Sequence, residues 1–598
     1  VGGVASSSFE SVEHTVPMLS LGDVFSYDEL NEFCEKILKE LDKSGKTGIV
    51  IAGRPYHVDP EINHGIPAMI ASLGLAVLTE DSIAHLGTAE RPLRVVDQWV
   101  YHTRLYNSAQ AVTEHDNLQL VQLNSFGCGL DAVTTDQVQE ILEAGNKIYT
   151  CLKIDEISNL GAARIRARSL KVAIEERAQN KEKLPKHSYQ QQRVIFTKEM
   201  RKEHTIIAPQ MAPVQFDLIE AAFRNAGYRL EVLKKATPED VETGLKYVNN
   251  DACYPTIIVI GQLIHALQSG KYDPENTSIF ITQTGGGCRA TNYIAFLRKA
   301  LKDSGFSQVP VVSLNMSGLE KNPGLKFTPK LLNDAVHGLI YGDVLQKVVL
   351  RTRPYELVQG SANQLYEKWN TICKDSFSKD VGMKYHEILQ GIIKDFDELP
   401  LNENIVKPKV GLVGEILVKF QPDANNHAID VVEKEGCEAV VPGLTDFFLY
   451  CFSNGQFKYD KLGKGYWAAV GGNLLVKLIE KYRKPANEAF KQSKRFSPSN
   501  NIYEIQEHAG HILSIGNTCG EGWLLTGEMI ELIQEGVPNI ICAQPFACLP
   551  NHVTGKGMIK ELRRQYPESN IVAIDYDPGA SEVNQLNRIK LMISTAFK

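Results

Sequence analysis

The sequence predicts an α/β protein made of several Rossmann- or flavodoxin-like domains with parallel sheets, arranged as an internal repeat. Three observations predict this fold class. Short apolar runs alternate with helical patterns along most of the chain, as in βαβ units. Segments near the two ends of the chain resemble each other in the same order. Several cysteines follow predicted strands, at the edge where parallel sheets bind ligands.

The composition excludes several classes of protein. The 598 residues carry a formal net charge of −7, so the chain lacks the basic excess that binds nucleic acid phosphates. No apolar run approaches the roughly 18 residues of a membrane span, and the N-terminus has no signal-peptide pattern. We therefore expect a cytoplasmic protein that binds neither nucleic acid nor membrane. Because the sequence does not begin with Met, we expect it to be the C-terminal portion of a longer chain.

The first repeated segment combines a strand, a loop and a helix. Residues 48–86 and 410–446 both begin with an apolar strand that ends in glycine. Each continues through a loop with Pro and Asp to Asn-His-x-Ile, a helical pattern closed by glycine, and a second apolar strand. Strands joined by such helices form parallel sheets. The segment therefore predicts one βαβ unit near each end of the chain.

The second repeated segment places a cysteine after a strand. Residues 120–142 and 540–562 each contain an apolar strand, the pattern Phe-small-Cys, a polar loop and a helix. The two cysteines are Cys128 and Cys548, and both precede a further strand that ends at an Asp. We expect both thiols at the carboxyl edge of a parallel sheet.

The middle of the chain has the same alternation of strands and helices. The predicted strands are HTIIAP (204–209), RLEVL (229–233), TSIFIT (277–282) and VPVVSLN (309–315), and the predicted helices are 214–228 and 290–305. The pattern predicts three parts: residues 1–185 as the C-terminal half of a first unit, residues 186–400 as an α/β domain and residues 401–598 as another. A charged connector is expected at about 170–200.

Ten of the eleven cysteines fall into two groups. With no export signal in the sequence, a disulfide framework is not expected. Six cysteines lie inside apolar helix or strand patterns and are interpreted as packing residues: Cys34, Cys151, Cys373, Cys437, Cys451 and Cys542. Four others lie in loops and are candidate ligands: Cys128, Cys253, Cys288 and Cys548.

One loop has a composition suited to a bulky ligand. Gly285, Gly286 and Gly287 precede Cys288, and Arg289 opens a helical pattern directly after it. Glycines tolerate unusual backbone angles and let a large group approach the main chain. A helix N-terminus and an arginine both favour the thiolate form of a neighbouring cysteine. The loop therefore suits a thiolate bound to something large and anionic.

The residues alone leave three interpretations open: an iron–sulfur cluster, an unrelated anion site, or structural cysteines. A phosphate-binding loop before a helix has a similar appearance, but the motif lacks a Walker lysine and the GxGxxG pattern. Zinc sites commonly use CxxC pairs, and the sequence contains none.

Four motifs carry a resemblance to a known family: YVNNDACYP, QTGGGCRATNY, QPFACLPNHVTGKG and AGRPYHVDPEINHG. They resemble the large acyl-CoA dehydratase activase-related proteins, in the superfamily of 2-hydroxyacyl-CoA dehydratases and double-cubane cluster proteins. The resemblance covers essentially the whole chain. It implies dehydratase-type subunits in which two α/β domains enclose a [4Fe–4S] cluster, or half of a double-cubane [8Fe–9S] cluster. Carried over, the ligands are Cys253, Cys288 and Cys548, with the glycine loop and Arg289 around the cluster.

The same resemblance makes residues 1–185 the end of a second such unit, with Cys128 as its third ligand and the other two upstream. It implies an anaerobic electron-transfer oxidoreductase that receives low-potential electrons from an ATP-dependent activase, on a separate chain or in missing N-terminal domains. The expected reaction is reduction of a small substrate. The alternatives are a 2-hydroxyacyl-CoA dehydratase-like enzyme, whose substrate is a CoA thioester, and a non-catalytic redox scaffold. A homo-oligomer is compatible with each, and the sequence contains no recognisable ATP site.

Three further residues stand out without an assigned role. Cys519 lies in the glycine-rich stretch GNTCGEGW, beside Glu521, and either lines the cluster pocket or occupies a tight turn. His64 and His427 occupy equivalent positions of the repeat, each after an asparagine. They are interpreted as hydrogen-bond donors to a ligand or as parts of a helix entry.

Overall fold

The computed structural model confirms an α/β fold with three parallel sheets of four strands each. It describes residues 26–597 except 126, 156–159, 181–185, 191–192, 284–285, 316–319, 321 and 379–381. Every strand pairs with its neighbours in parallel. None of the helices within the described ranges is long and apolar enough to cross a membrane.

The first sheet contains the first repeated segments. Its strands are β1 (Gly48–Ala52), β2 (Ala76–Thr79), β3 (Leu118–Ser125) and β4 (Tyr149–Ile154), in the order β2-β1-β3-β4. Its helices are α1 (Tyr27–Ser44), α2 (Pro60–Asn63), α3 (Ile66–Ala71), α4 (Val100–Glu114), α5 (Gly129–Ala144) and α6 (Gly161–Asn180). The helix α6 takes up the start of the predicted charged connector, part of which lies outside the described residues.

The second sheet lies in the middle of the chain. Its strands are β5 (Thr205–Ala208), β6 (Arg229–Val232), β7 (Thr277–Gln283) and β8 (Val311–Asn315), in the order β6-β5-β7-β8. Its helices are α7 (Met200–Glu203), α8 (Pro213–Asn225), α9 (Pro238–Tyr247), α10 (Tyr254–Gln268), α11 (Tyr293–Asp303), α12 (Pro329–Thr352), α13 (Ser361–Asp375) and α14 (Tyr385–Asp397). All four strands predicted for this region are present.

The third sheet contains the second copies of the repeated segments. Its strands are β9 (Lys409–Gly414), β10 (Glu438–Val440), β11 (Asn539–Pro545) and β12 (Asn570–Tyr576), in the order β10-β9-β11-β12. Its helices are α15 (Ile416–Phe420), α16 (Ala428–Lys434), α17 (Leu444–Leu462), α18 (Tyr466–Gln492), α19 (Ile502–Gly510), α20 (Gly522–Gln534), α21 (Leu549–Thr554), α22 (Ile559–Gln565) and α23 (Glu582–Ala596).

The repeat in the sequence corresponds to a repeat in topology. The strands β1 and β9 open the two copies of the first repeated segment, and both occupy the second place in their sheets. The strands β3 and β11, from the second segment, both occupy the third place. The middle sheet has the same order, with β7 in the third place. Three loops that follow equivalent strands therefore carry Cys128, Cys288 and Cys548.

The first two sheets share one hydrophobic core. A single cluster of buried side chains includes Val50 and Leu120 of the first sheet, Ile279 of the second and residues of α10 such as Ile260. The run TIIVIGQLI, expected to be a buried element, lies in α10 and is buried throughout. The core thus continues past the expected boundary at residue 185, and the boundaries stay a prediction.

The cysteines interpreted as packing residues lie inside helices, strands or the turn before a strand. Cys34, Cys373, Cys437 and Cys542 are buried, while Cys151 and Cys451 are partly exposed. Cys373, for example, is fully buried among apolar side chains of α12, α13 and α14.

Candidate functional site

Each of the four candidate ligands caps a helix. Cys253 precedes α10, Cys128 precedes α5 and Cys548 precedes α21. Cys288 precedes a short 3₁₀ helix, residues 289–292, which leads into α11. The four sulfurs therefore lie at helix N-termini, which favour negative charge.

Three of the thiols surround one buried guanidinium. Arg289 is only 8% exposed. Burial opposes its charged form, but the thiols of Cys253, Cys548 and Cys288 outweigh this effect and raise the pKa of Arg289. The first and last of the three cysteines, Cys253 and Cys548, are 295 positions apart in the chain. Folding thus brings the predicted trio to one place and adds a positive charge beside it. For this charge to be balanced, at least one neighbouring group has to be an anion.

Without a metal, Cys288 and Cys548 are protonated at neutral pH. Burial raises the pKa of Cys288 well above its usual value, and the neighbouring Cys548 and Glu521 raise it further. Burial also raises the pKa of Cys548 to about 12, although Arg289 opposes the change. Metal ions bind the thiolate and displace its proton. Buried thiols beside a cation are therefore suited to bind metal, whereas they are poor nucleophiles in its absence.

Hydrogen-bonding side chains orient two of the sulfurs. The Cys253 Sγ lies 2.9 Å from the Thr256 hydroxyl and 2.9 Å from the Tyr293 hydroxyl. The Asn551 amide donates to the Cys548 Sγ at 3.3 Å. Hydroxyl and amide donors can bond to a sulfur in either its thiol or its thiolate form. The sequence motifs contain Tyr293 and Asn551, but only the fold identifies which sulfur each one contacts.

Two glutamates border the trio, the buried Glu521 and the partly buried Glu415. Glu521 accepts hydrogen bonds from the Asn551 amide at 2.7 Å and from the Ile416 backbone at 3.3 Å. Glu415 accepts from the Val418 backbone at 2.9 Å and caps α15. Burial raises the pKa of both carboxyl groups, and in Glu415 the charge of Glu521 raises it further. Such a pair retains a proton near neutral pH. Sequence analysis missed Glu415, whose only signal was its place after the strand-ending Gly414.

The glycine loop packs tightly at one position and is open at another. A Cβ added to Gly287 would lie 2.7 Å from the Cys519 Sγ and 3.6 Å from the Trp99 ring. Gly286 has open space where its side chain would be, and Gly285 lies outside the described residues. The close packing on Cys519 therefore requires glycine at position 287. Cys519, which had no assigned role, lies directly against the Cys288 loop.

Cys128 forms a separate environment next to the trio. The Arg54 Nη2 donates to the Cys128 Sγ at 2.6 Å, and the Arg54 Nε pairs with Asp131 at 2.8 Å. Burial raises the pKa of Cys128, Asp131 raises it further and Arg54 opposes the change. The other candidate ligands are not among the groups that act most on it. The structure therefore brings three of the four predicted ligands together and gives the fourth an arginine partner instead.

The loops of the two repeats nevertheless meet. A Cβ on Gly127 would lie 3.3 Å from the Ala547 Cβ, so the loop before Cys128 packs on the loop before Cys548. The Arg289 side chain lies against Gly129 and donates to the Ala547 carbonyl at 3.4 Å. Arg289 is thus the bridge between the environment of Cys128 and the trio.

The trio differs from a site for one metal ion. Among the residues that the structure describes, no three His, Cys, Asp or Glu side chains are placed to bind a single ion. Ligands of one ion lie about 2.3 Å from it when they are thiolates, whereas a multi-iron cluster joins sulfurs that are further apart. The donor set, three cysteines and a balancing arginine, fits a cluster better than it fits a single ion.

The two repeated histidines lie away from the thiols. His64 and His427 both have left-handed backbone conformations, with φ of 53° and 54°. His64 bonds to the Asp155 carbonyl at 2.8 Å, and His427 lies between Asp423 and Asp430. The repeat therefore preserves a helix-entry conformation at these positions, which favours the local structural interpretation.

Comparison with known proteins gives one family match and several short matches. Residues 25–83 match a family model described as the CoA enzyme activase uncharacterised domain, which covers α1, β1 and β2. This match supports a relationship with activase- and dehydratase-related proteins. A DNA ligase of Lactobacillus gasseri is 64% identical over 39 residues, 6% of either chain. A DNA ligase of Rhodospirillum rubrum is 35% identical over 92 residues, 15% of this chain and 13% of the ligase. The chain thus covers only a small part of these ligases.

Proposed function

We propose that the chain is the iron–sulfur component of an ATP-coupled reductase and that Cys253, Cys288 and Cys548 hold its cluster. The observation that carries the proposal is the convergence of these three thiols on the buried Arg289. The family match to a CoA enzyme activase domain supports the same class of protein. When bound, a [4Fe–4S] cluster held by three thiolates supplies one-electron chemistry at an iron without a fourth thiolate. The electron donor is an ATP-dependent activase.

The residues of the chain have distinct roles in this proposal. Arg289 balances the negative charge of the thiolates from a buried position. Tyr293 and Asn551 hydrogen-bond to two of the sulfurs, and such bonds orient ligands and adjust redox potential. The packing of Gly287 on Cys519 positions the Cys288 loop.

A specific observation favours a dehydratase-like reaction as the second candidate. Elimination of a hydroxyl group as water needs a proton donor beside the substrate. Burial raises the pKa of Glu415 and Glu521 next to the thiols, so the pair can hold that proton. Under this candidate the substrate is a 2-hydroxyacyl-CoA thioester. Under the first candidate the substrate is another small molecule that is hard to reduce.

Cysteine variants test the cluster assignment. The chain is purified without oxygen and reconstituted with iron and sulfide, and the absorption near 400 nm is recorded with the iron and sulfide contents. We expect about four irons per chain, as in a single cubane. Cys288→Ala should lose this absorption. Cys373→Ala, which removes a fully buried thiol outside the site, should keep it. Full absorption in Cys288→Ala would contradict the assignment.

A second measurement separates the two candidate reactions. The loaded protein, reduced chemically, is mixed with a 2-hydroxyacyl-CoA, and formation of the enoyl-CoA is followed. Formation of this product that is lost in Glu521→Gln would favour the dehydratase-like reaction. If no enoyl-CoA forms, but the reduced cluster becomes oxidised when other small acceptors are added, the result would favour the reductase.

A further inference from the structure

A cavity separate from the thiol site lies between the second and third parts of the chain. Its volume is about 180 Å³, and its walls come from α12, α18, α20 and the edge strand β10. It shares no lining residue with the thiol site. Pockets for drug-sized ligands have volumes of about 300–1,000 Å³. The cavity is therefore suited to a smaller molecule.

Most of the charged side chains in the wall are already paired. Arg351 forms an ion pair with Glu438, and the Arg483 Nη1 lies 2.5 Å from the Asp446 Oδ1. The Asp343 carboxylate accepts from the first two backbone amides of α17 at 3.0 and 2.8 Å. These five groups form a polar frame, and each of their charges has a partner in the protein without a ligand.

Two lysines of the wall, Lys347 and Lys409, form no ion pair with the described residues. The Lys347 ammonium lies 5.2 Å from the centre of the Phe490 ring. Within the described part of the chain, no carboxylate lies within ion-pairing distance of it. Burial lowers the pKa of Lys347, while Glu535 and Glu531 oppose the change. The ammonium is thus attracted to acidic side chains across the cavity but contacts none of them.

Two acidic side chains of the same wall, Glu531 and the exposed Glu535, also form no ion pair within the described part of the chain. Glu531 is only 9% exposed, and no donor among the described residues bonds to its carboxylate. Burial, with the charges of Asp446 and Glu535, raises the pKa of Glu531 to about 8 against the opposing charge of Lys347. An unpaired charge at this level of burial is unfavourable. A ligand that reaches both Lys347 and Glu531 would remove the cost at both groups.

We propose that this cavity binds a small zwitterion of the amino-acid type. The carboxylate of the ligand pairs with Lys347 and its ammonium group pairs with Glu531. The apolar part of the ligand packs on the aromatic wall formed by Phe490 and Phe496. A ligand with a single charge would leave one of the two buried groups unpaired, so the site selects for both charges together. The inference is independent of the function proposed for the thiol site.

The test uses the full chain and the twenty standard amino acids. The midpoint of thermal unfolding is measured with each amino acid in turn, and any that raises it is titrated calorimetrically. We expect at least one amino acid to bind. Its N-acetyl derivative and its carboxamide should each bind at least about tenfold more weakly, because each lacks one of the two charges.

Variants connect the binding to the two unpaired groups. Lys347→Met and the nearly isosteric Glu531→Gln should each weaken binding at least about tenfold. Lys477→Met, which removes an exposed lysine of α18 outside the cavity, should bind as the unmodified chain does. Because Glu531→Gln keeps the shape of the side chain, it tests the site even if Lys347→Met does not fold. The proposal is overturned if no amino acid binds, if the blocked derivatives bind equally well, or if Glu531→Gln binds normally.

Discussion

Arg289 is the residue on which the organisation of the thiol site depends most. It follows Cys288 in the chain and contacts Gly129 and the Ala547 carbonyl. All three thiols of the trio raise its pKa. A buried guanidinium is tolerated only where anions or acceptors surround it. Under the proposed function, the motif GGGCR supplies both a ligand and the charge that balances the ligand set.

The contact between Gly129 and Arg289 yields a first prediction. A Cβ at position 129 would lie 2.3 Å from the Arg289 Cδ and Nη1, so Gly129→Ala should displace the guanidinium from the thiols. Overpacking of this kind costs about 1–3 kcal/mol. We expect Gly129→Ala to retain at most about half of the iron that the unmodified chain retains after reconstitution.

Gly286→Ala is the matched control, because open space surrounds its missing side chain. It should bind iron as the unmodified chain does. Equal iron contents in the two variants would show that the position of Arg289 is unimportant to the site.

A buried histidine predicts how stability depends on pH. His102 is fully buried, and neither ring nitrogen has a hydrogen-bond partner among the described residues. Burial lowers its pKa to about 4, Asp97 opposes the change and Arg54 adds to it. Because the ordinary pKa is about 6.5, the unfolded chain takes up the proton first on acidification. Stability is therefore greatest above about pH 6.5 and falls as the pH is lowered, by about 2 kcal/mol at pH 5 from this residue.

His102→Phe should remove that part of the pH dependence. Urea unfolding of both proteins at pH 7.5 and pH 5 gives the loss of unfolding free energy on acidification. We expect the loss to be smaller by about 2 kcal/mol in the variant, since phenylalanine does not titrate. Equal losses in the two proteins would mean that His102 can be protonated without cost in the folded state.

At the scale of the elements, local patterns predict the strands well. The apolar run at 277–282 predicts a strand that the structure places at Thr277–Gln283, and the run at 229–233 corresponds to Arg229–Val232. Alternation of short apolar runs and helices is sufficient because each strand of a parallel sheet is buried on both faces. The pairing partners are not local, so the order of the strands in each sheet was not predicted from the sequence.

Two glycines within helices should respond to substitution in opposite directions. Gly261 lies where α10 crosses α9, and an added Cβ would be 1.9 Å from the Asp240 carbonyl oxygen. Gly261→Ala must push the two helices apart, and we expect a loss of at least about 2 kcal/mol in unfolding free energy. Gly471 in α18 has no atom within 4 Å of its added Cβ. Gly471→Ala should stabilise the chain by up to about 1 kcal/mol, because alanine favours the helix.

Denaturant unfolding of the two glycine variants measures both effects. A neutral or stabilising Gly261→Ala would show that the backbone contact between α9 and α10 is not essential to the packing of the buried helix.

At the scale of the whole molecule, the site is assembled from distant segments. The Asn292 amide bonds to the Val96 carbonyl at 3.1 Å and to the Gln98 side chain at 2.6 Å. The Val96 backbone amide donates a hydrogen bond to the Asn292 Oδ1 at 2.8 Å. We call these hydrogen bonds of residues 96–98 to the Cys288 loop the clamp. Sequence analysis missed the clamp because residues 94–99 form neither a strand nor a helix pattern. The proposed ligands were chosen from their sequence motifs, whereas the supporting contacts span nearly two hundred positions and required the fold.

The clamp leads to a prediction about the Cys288 loop. The Gln98 side-chain amide donates to the carbonyls of Gly286 and Cys288 at 3.0 and 2.6 Å. Gln98→Leu keeps the size of the side chain but removes these bonds. Because the bonds lie at the rim of the site, the unfolding free energy should fall by no more than about 1.5 kcal/mol. Backbone amides of residues 286–292 should exchange with deuterium several-fold faster, because local opening of the loop no longer requires the Gln98 hydrogen bonds to break.

The measurement is hydrogen exchange followed by mass spectrometry on the chain without a cluster, which keeps the outcome independent of the proposed cofactor. Gln565→Leu is the control, because Gln565 is exposed and bonds only to the Glu561 carboxylate, at 2.8 Å, in the same helix. That variant should exchange normally at 286–292. If Gln98→Leu also exchanges normally there, the loop holds its own conformation, and the first sheet contributes nothing to the placement of Cys288. If the loop is released, the geometry of the thiol trio depends on a segment of the first sheet that contains none of its ligands.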